Sequence, residues 1–160
     1  MRDAVKAEPP PFNPGEEIGV SDWLTITQEM INAFGLVTQD PDPIHMDEAV
    51  AAAGPFGQTT AFGFLTMSML TALLRSAQGE APGRSDAPGG HGLNYGFDRV
   101  RLVSPVPAGS RIRGRFTALR RREDDKGRLV GTYECVVEIE GNERPAMVAE
   151  WVTIWVPDAE

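Results

Sequence analysis

Between residues 62 and 76 the chain reads Phe-Gly-Phe-Leu-Thr-Met-Ser-Met-Leu-Thr-Ala-Leu-Leu-Arg-Ser, a helical segment with almost no polar face. Leu65, Met69 and Leu73 recur as one stripe, and Phe62, Met67, Leu70 and Leu74 fill the flanks. A helix apolar nearly all round has to be buried, so the rest of the chain must supply its cover. The cover follows directly. Four segments, 93–103, 110–122, 128–140 and 146–156, fall to a period of two. In the second, Ile112, Phe116 and Ala118 alternate with Arg111, Arg113, Arg115 and Thr117. In the third, Tyr133, Cys135, Val137 and Ile139 alternate with Thr132, Glu134, Glu138 and Glu140. These patterns predict half-buried antiparallel strands joined by short turns such as Asp124-Asp125-Lys126-Gly127 and Gly141-Asn142.

The segments before the long helix are shorter. A weak alternation over 20–26 suggests one strand. Thr27 is placed to cap a helix over 28–38, in which Met30, Ile31, Phe34 and Val37 recur at helical spacing. Residues 39–46 contain Pro41 and Pro43 and read as a loop. Asp47 is placed to cap a short helix through residue 53, closed by Gly54-Pro55. Residues 1–15 are Pro-rich and predict a loose arm, and 79–90, rich in Gly and Pro, a flexible connection. The expectation is therefore an α+β fold: a single domain over 16–157 in which an antiparallel sheet wraps one long buried helix. Four or five strands cover only part of such a helix, so a second copy is a natural completion, as a homodimer or a dimer of dimers.

A net charge of −8 argues against nucleic acid as the main partner. No apolar run approaches the length of a membrane span, and the N-terminal residues lack the apolar core of a secretory signal. The single cysteine, Cys135, excludes an intramolecular disulfide and a multi-cysteine metal site, which leaves the cytoplasm as the expected compartment. The charge is uneven. Residues 1–90 hold four basic and twelve acidic side chains, whereas 99–122 contain eight arginines and no acid. Such a patch suits a small polyanion such as a phosphorylated cofactor or carrier, and equally suits a solvated strand face.

Chemistry concentrates in Gln39-Asp40-Pro41-Asp42-Pro43-Ile44-His45-Met46-Asp47, with three carboxylates and one of two histidines on a backbone stiffened by prolines. Preorganised carboxylate and imidazole groups suit acid–base catalysis near neutral pH. From spacing alone the bland reading stays open: Asp40 ends a helix, Asp47 caps the next, and His45 is a surface side chain.

This stretch, followed by Ala49-x-Ala51-x3-Pro55-Phe56-Gly57 and Ala61-Phe62-Gly63-Phe64-Leu65-Thr66, resembles the signature of the MaoC-like dehydratases. That hotdog-fold family includes the (R)-specific enoyl-CoA hydratases. Asn94-Tyr95-Gly96-Phe97-Asp98-Arg99-Val100-Arg101 and Pro105-Val106-Pro107-Ala108-Gly109-Ser110 resemble its nodulation-protein-N-like branch. The resemblance implies a hydratase or dehydratase acting on an acyl-CoA thioester, with Asp40 and His45 as the dyad. It implies that the Gly63 N–H holds the thioester oxygen at the start of the buried helix, with Phe56, Phe62 and Phe64 as apolar walls. It implies no metal and no cofactor, CoA being part of the substrate.

Three positions depart from the family pattern. Asp42 replaces an Asn and puts an extra negative charge near Asp40, Gln39 replaces a Gly, and Phe62 stands where the family usually has His. Two other readings stay in view: a thioesterase on the same fold and, motivated by Phe62 and Asp42, a non-catalytic acyl-CoA binder or partner subunit. Secondary candidates are Ser68 and Thr71 on the buried helix, Asn94 at a strand end, His91, Cys135, and the pair Trp151 and Trp155 on one face of the last strand.

Overall fold

The structure is a computed structural model that describes residues 12–80 and 90–157. Strands β1 (Glu17–Val20) and β2 (Leu24–Thr25) precede helix α1 (Gln28–Val37). Two short helices, α2 (Pro43–Met46) and α3 (Glu48–Ala52), lead to α4 (Gly63–Ser68) and α5 (Leu70–Ala77). Four long strands follow: β3 (Gly90–Leu102), β4 (Arg111–Glu123), β5 (Leu129–Ile139) and β6 (Met147–Pro157). They form one antiparallel sheet in the order β1-β4-β5-β6-β3, with β2 also paired to β4. The α+β plan and all four long strands stand as expected.

Register follows from the alternation. Phe116 pairs with Cys135 and Ile112 with Ile139, so the apolar residues of β4 and β5 share one face. That face packs on Leu65, Leu70 and Leu73 of the helix, together with Met147, Ala149 and Trp151 of β6. A one-residue slip would turn every one of these side chains toward solvent, which fixes the pairing.

Four local expectations need correction. The long helix is two helices that part at Met69, where the Met69 N–H reaches both Leu65 and Thr66 carbonyls. The Ser68 hydroxyl donates to the Phe64 carbonyl at 2.7 Å, back-bonding of the kind that bends helices. As expected, the sheet covers the helix on one face and leaves Phe64 73% exposed. The strand expected over 20–26 is split by Ser21, whose hydroxyl, in place of a backbone carbonyl, accepts the Gly114 N–H at 2.9 Å. The loop expected over 39–46 contains the single turn α2, because Pro43 stands at the first helical position, where no N–H is needed. Finally, the last residues of the arm are docked. Phe12 packs edge-on against Tyr133, ring centroids 5.2 Å apart, and the Gly15 N–H donates to the Ala118 carbonyl. The rest of the arm and residues 81–89 of the connection lie outside the described residues.

The arginine-rich stretch is largely neutralised by acids on neighbouring elements. Arg111 pairs with Glu140, Arg113 with Glu138, Arg115 with Glu17 and Glu138, and Arg120 with Asp98 and Glu150. Arg113 also lies 4.5 Å over the Trp23 ring. The reading as a solvated strand face accounts for these arginines.

Candidate active site

Helix α1 ends in a left-handed turn. Gln39 has φ of 59°, the Gln39 N–H donates to Leu36 O at 3.3 Å and the Asp40 N–H to Gly35 O at 2.9 Å. This is a Schellman cap, usually built on glycine, and it aims the chain so that Asp40 follows as the first residue beyond it. Asp40 is exposed, and its carboxylate has no hydrogen-bond or ion-pair partner among the described residues. Gly35 makes the assembly possible. A Cβ there would lie 2.5 Å from Met46 Sδ and 3.0 Å from Phe62 Cζ. Helix α1, the turn bearing His45 and the approach to α4 therefore meet at one bare backbone position.

His45 sits on α2. The Asp42 carboxylate caps that turn by accepting the Ile44 N–H at 3.0 Å, and Asp47 caps α3 through Ala49 and Val50. Asn and Asp cap equally well, so Asp42 keeps the structural part of the family residue's place. The His45 ring is half-buried, with Nδ1 2.7 Å from the Thr60 carbonyl. A carbonyl only accepts, so Nδ1 carries the proton and the neutral ring keeps its lone pair on Nε2. Phe62 holds the ring from one side, centroids 4.0 Å apart, and is itself backed by Phe34 at 5.4 Å. Phe62 is 4% exposed, a space-filling support for the histidine.

Gly63 opens α4. Phe62, its extended cap, supplies no side-chain acceptor, and the first helical bond runs from the Thr66 N–H to Phe62 O at 3.1 Å. The N–H groups of the first turn are thus left without helical partners at the positive end of the dipole. The preceding segment is anchored by the Ala61 N–H on Val106 O and by the Thr60–Pro107 bridge. Leu102, at the end of β3, occupies the space a Cβ on residue 63 would need. His45 and Gly63 are brought together through Thr60 and Phe62. Of the three phenylalanines expected as walls, Phe62 alone is buried, while Phe56 and Phe64 are 46% and 73% exposed.

The secondary candidates divide. Thr71 and Asn94 line a cleft of about 290 Å³ between the helix and β3, with Met67, Tyr95, Phe97 and Trp151. Ser68 also borders that cleft while bonding back to the backbone. Asn94 makes no bond to the turn bearing His45. Cys135 is fully buried and burial pushes its thiol up to about 12, which marks it as a core residue. Trp151 is core and stacks near Tyr133, whereas Trp155 packs over Gly90. No group of three or more His, Cys, Asp or Glu among the described residues is arranged to hold a metal ion. The Thr60 carbonyl and Leu102 had no signal in the sequence: one is main chain, the other an ordinary strand leucine.

Comparison with known proteins decides the family. The family model described as a MaoC like domain matches residues 11–138. The chain belongs to the MaoC-like domain family. Nodulation protein N of Rhizobium leguminosarum bv. viciae is 44% identical over 145 residues, 90% of this chain and 87% of that protein. The 3-hydroxyacyl-thioester dehydratase Z of Mycobacterium tuberculosis is 41% identical over 142 residues, 89% of this chain and 90% of that protein. Among solved structures, the (R)-hydratase from A. caviae involved in PHA biosynthesis superposes with a TM-score of 0.70 at 19% identity. It covers 91% of this chain and 98% of its own. The MaoC-like chain therefore carries the hotdog fold, with the α4–α5 helix packed on its antiparallel sheet.

Proposed function

We propose that this MaoC-like protein adds water reversibly to a trans-2-enoyl-CoA to give a (3R)-hydroxyacyl-CoA. The observation that carries the reading is the His45 ring, fixed so that Nε2 is the free base by the carbonyl of Thr60, which lies three residues before Gly63. Asp40 and His45 would hold one water between them. His45 takes a proton from it as the oxygen bonds to C3, and the electrons of the C2–C3 double bond move toward the thioester carbonyl. The Gly63 N–H stabilises the resulting enolate oxygen. A dyad proton then reaches C2, so one water is added and the dyad is restored. The reverse path is the dehydration. Phe62, packed on His45, takes over as support where the family has histidine.

The exposed apolar residues Leu93, Tyr95 and Phe97 lie on β3, which among the described residues is an edge strand paired only with β6. They support a homodimer in which two copies cover this edge and the open helix face. No helix of the described residues is long and apolar enough to cross a membrane.

The test follows enoyl absorbance and free CoA thiol side by side. Loss of the enoyl signal without thiol release is expected, and Asp40→Asn and His45→Gln should each lower kcat at least about 10²-fold. Thiol release would make the protein a thioesterase. Acyl-CoA binding without turnover, unchanged in Asp40→Asn, would make it a binder.

A further inference from the structure

We infer that Gln28 and Thr59 form a clamp that positions His45, a role that rests on the hydratase reading for its catalytic meaning. Thr27 caps α1 by accepting the Met30 N–H, which sets Gln28 at the first helical position, pointing its amide at two other segments. Gln28 Nε2 donates to the His45 backbone carbonyl at 2.8 Å and to Asn32 Oδ1 at 2.8 Å. Gln28 Oε1 accepts the Thr59 hydroxyl at 2.5 Å. The orientation of the amide is set by its neighbours. The His45 carbonyl has no proton to give, so the NH₂ end must face it, and the oxygen is left for the hydroxyl. Thr59 is 4% exposed, so its hydroxyl has little access to water as a substitute partner.

Two links therefore run side by side between α2 and residues 59–60. One passes from Thr59 through Gln28 to the His45 backbone, and the other is the His45 ring bond to Thr60 O. A single ring bond leaves the imidazole free to pivot with its own backbone. The second link fixes that backbone against the segment carrying the acceptor, so the ring keeps both its angle and its Nδ1–H tautomer. A misplacement of about 1 Å at a catalytic group can lower a rate about 10²-fold, so this restraint matters to turnover.

The experiment compares Gln28→Leu, Gln28→Glu, Thr59→Val and Thr59→Ser with the wild type. Two readouts are taken: the ¹⁵N shifts of the His45 ring, identified with His45→Gln, and kcat and KM on a trans-2-enoyl-CoA. Thr59→Ser keeps the hydroxyl and should match the wild type in both. Gln28→Glu keeps an acceptor for Thr59 but has no proton for the His45 carbonyl, so it should behave as Gln28→Leu does. In Gln28→Leu, Gln28→Glu and Thr59→Val the Nε2–H tautomer should appear, and kcat should fall about 10-fold with KM changed less than about twofold. Should Gln28→Leu fail to fold, Thr59→Val and Gln28→Glu carry the same comparison. The wild-type tautomer in Gln28→Glu and Thr59→Val overturns the clamp, whatever happens to kcat. Absence of wild-type turnover overturns the hydratase reading instead, while the ring shifts still decide the clamp.

Discussion

Gln39 is the one non-glycine residue with positive φ among the described residues, and it directly precedes Asp40. A side chain in the left-handed region costs about 1–2 kcal/mol through contact of Cβ with the following carbonyl. Gln39→Gly removes that contact, and the exposed Gln39 side chain makes no hydrogen bond in the described structure that would be lost. Glycine in turn leaves the unfolded chain freer, which gives back about 0.4–1 kcal/mol. The net is a stabilisation of about 0.5–1 kcal/mol. For a domain of this size that corresponds to a rise in Tm of about 1–4 °C. Urea unfolding should show a higher midpoint at an unchanged slope. The Schellman bonds are main chain to main chain, so Asp40 stays where it is and kcat should be retained. Gln39→Val is the opposing control, because a β-branched residue fits this region poorly and should lose more than about 1 kcal/mol. A Gln39→Gly protein less stable than the wild type would refute the reasoning.

Phe62→Ala removes a buried ring packed on Phe34 and His45 and should cost about 3–5 kcal/mol in urea unfolding, with turnover falling as the His45 ring loses its support. Gly63→Ala places a methyl group where the tip of Leu102 lies. Leu102 is 53% exposed and can swing away, so stability should change by less than about 1 kcal/mol while kcat drops. Leu102→Ala in the same chain should recover part of it. The carboxyl of Asp124 is lowered to about 2, chiefly by its hydrogen bond to the Arg128 guanidinium at 2.7 Å and also by the Arg128 and Lys126 N–H groups. Its folded value lies below the unfolded one, so its contribution to stability is full above about pH 4 and is lost as pH falls through 2. An NMR titration of this carboxyl should show that low midpoint, and Arg128→Leu should bring it back toward 3.8.

Much of the fold was legible because β4 and β5 each have one face on the buried core, and the alternation Ile112, Gly114, Phe116, Ala118 records that contact directly. The helix itself was legible as buried and as too large for one sheet to cover, but which residues stay uncovered was not, since Phe64 reads the same whether a sheet or a second copy covers it. Pro41 and Pro43 read as breakers, although a proline at a first helical position is compatible with the turn that carries His45. The arginine pairs were hidden for another reason. Arg113 meets Glu138, 25 residues away, and Arg115 meets Glu17, 98 residues away, contacts that exist only after the sheet has formed. In the site, Asp40, His45 and Gly63 were named from motif and resemblance. The Thr60 carbonyl and the Gln28 amide were not, because a main-chain acceptor and an unremarkable helix-start glutamine leave no mark in a sequence.

The most direct measurement is hydration of a trans-2-enoyl-CoA in ¹⁸O-labelled water, with chiral analysis of the product and Asp40→Asn run alongside. The account predicts one heavy oxygen on C3, none in a free carboxylate, a single (3R) product from the wild type, and at most about 1% of that rate from the variant. Heavy oxygen in a released carboxylic acid, a mixture of 3R and 3S products, or an undiminished variant would contradict it.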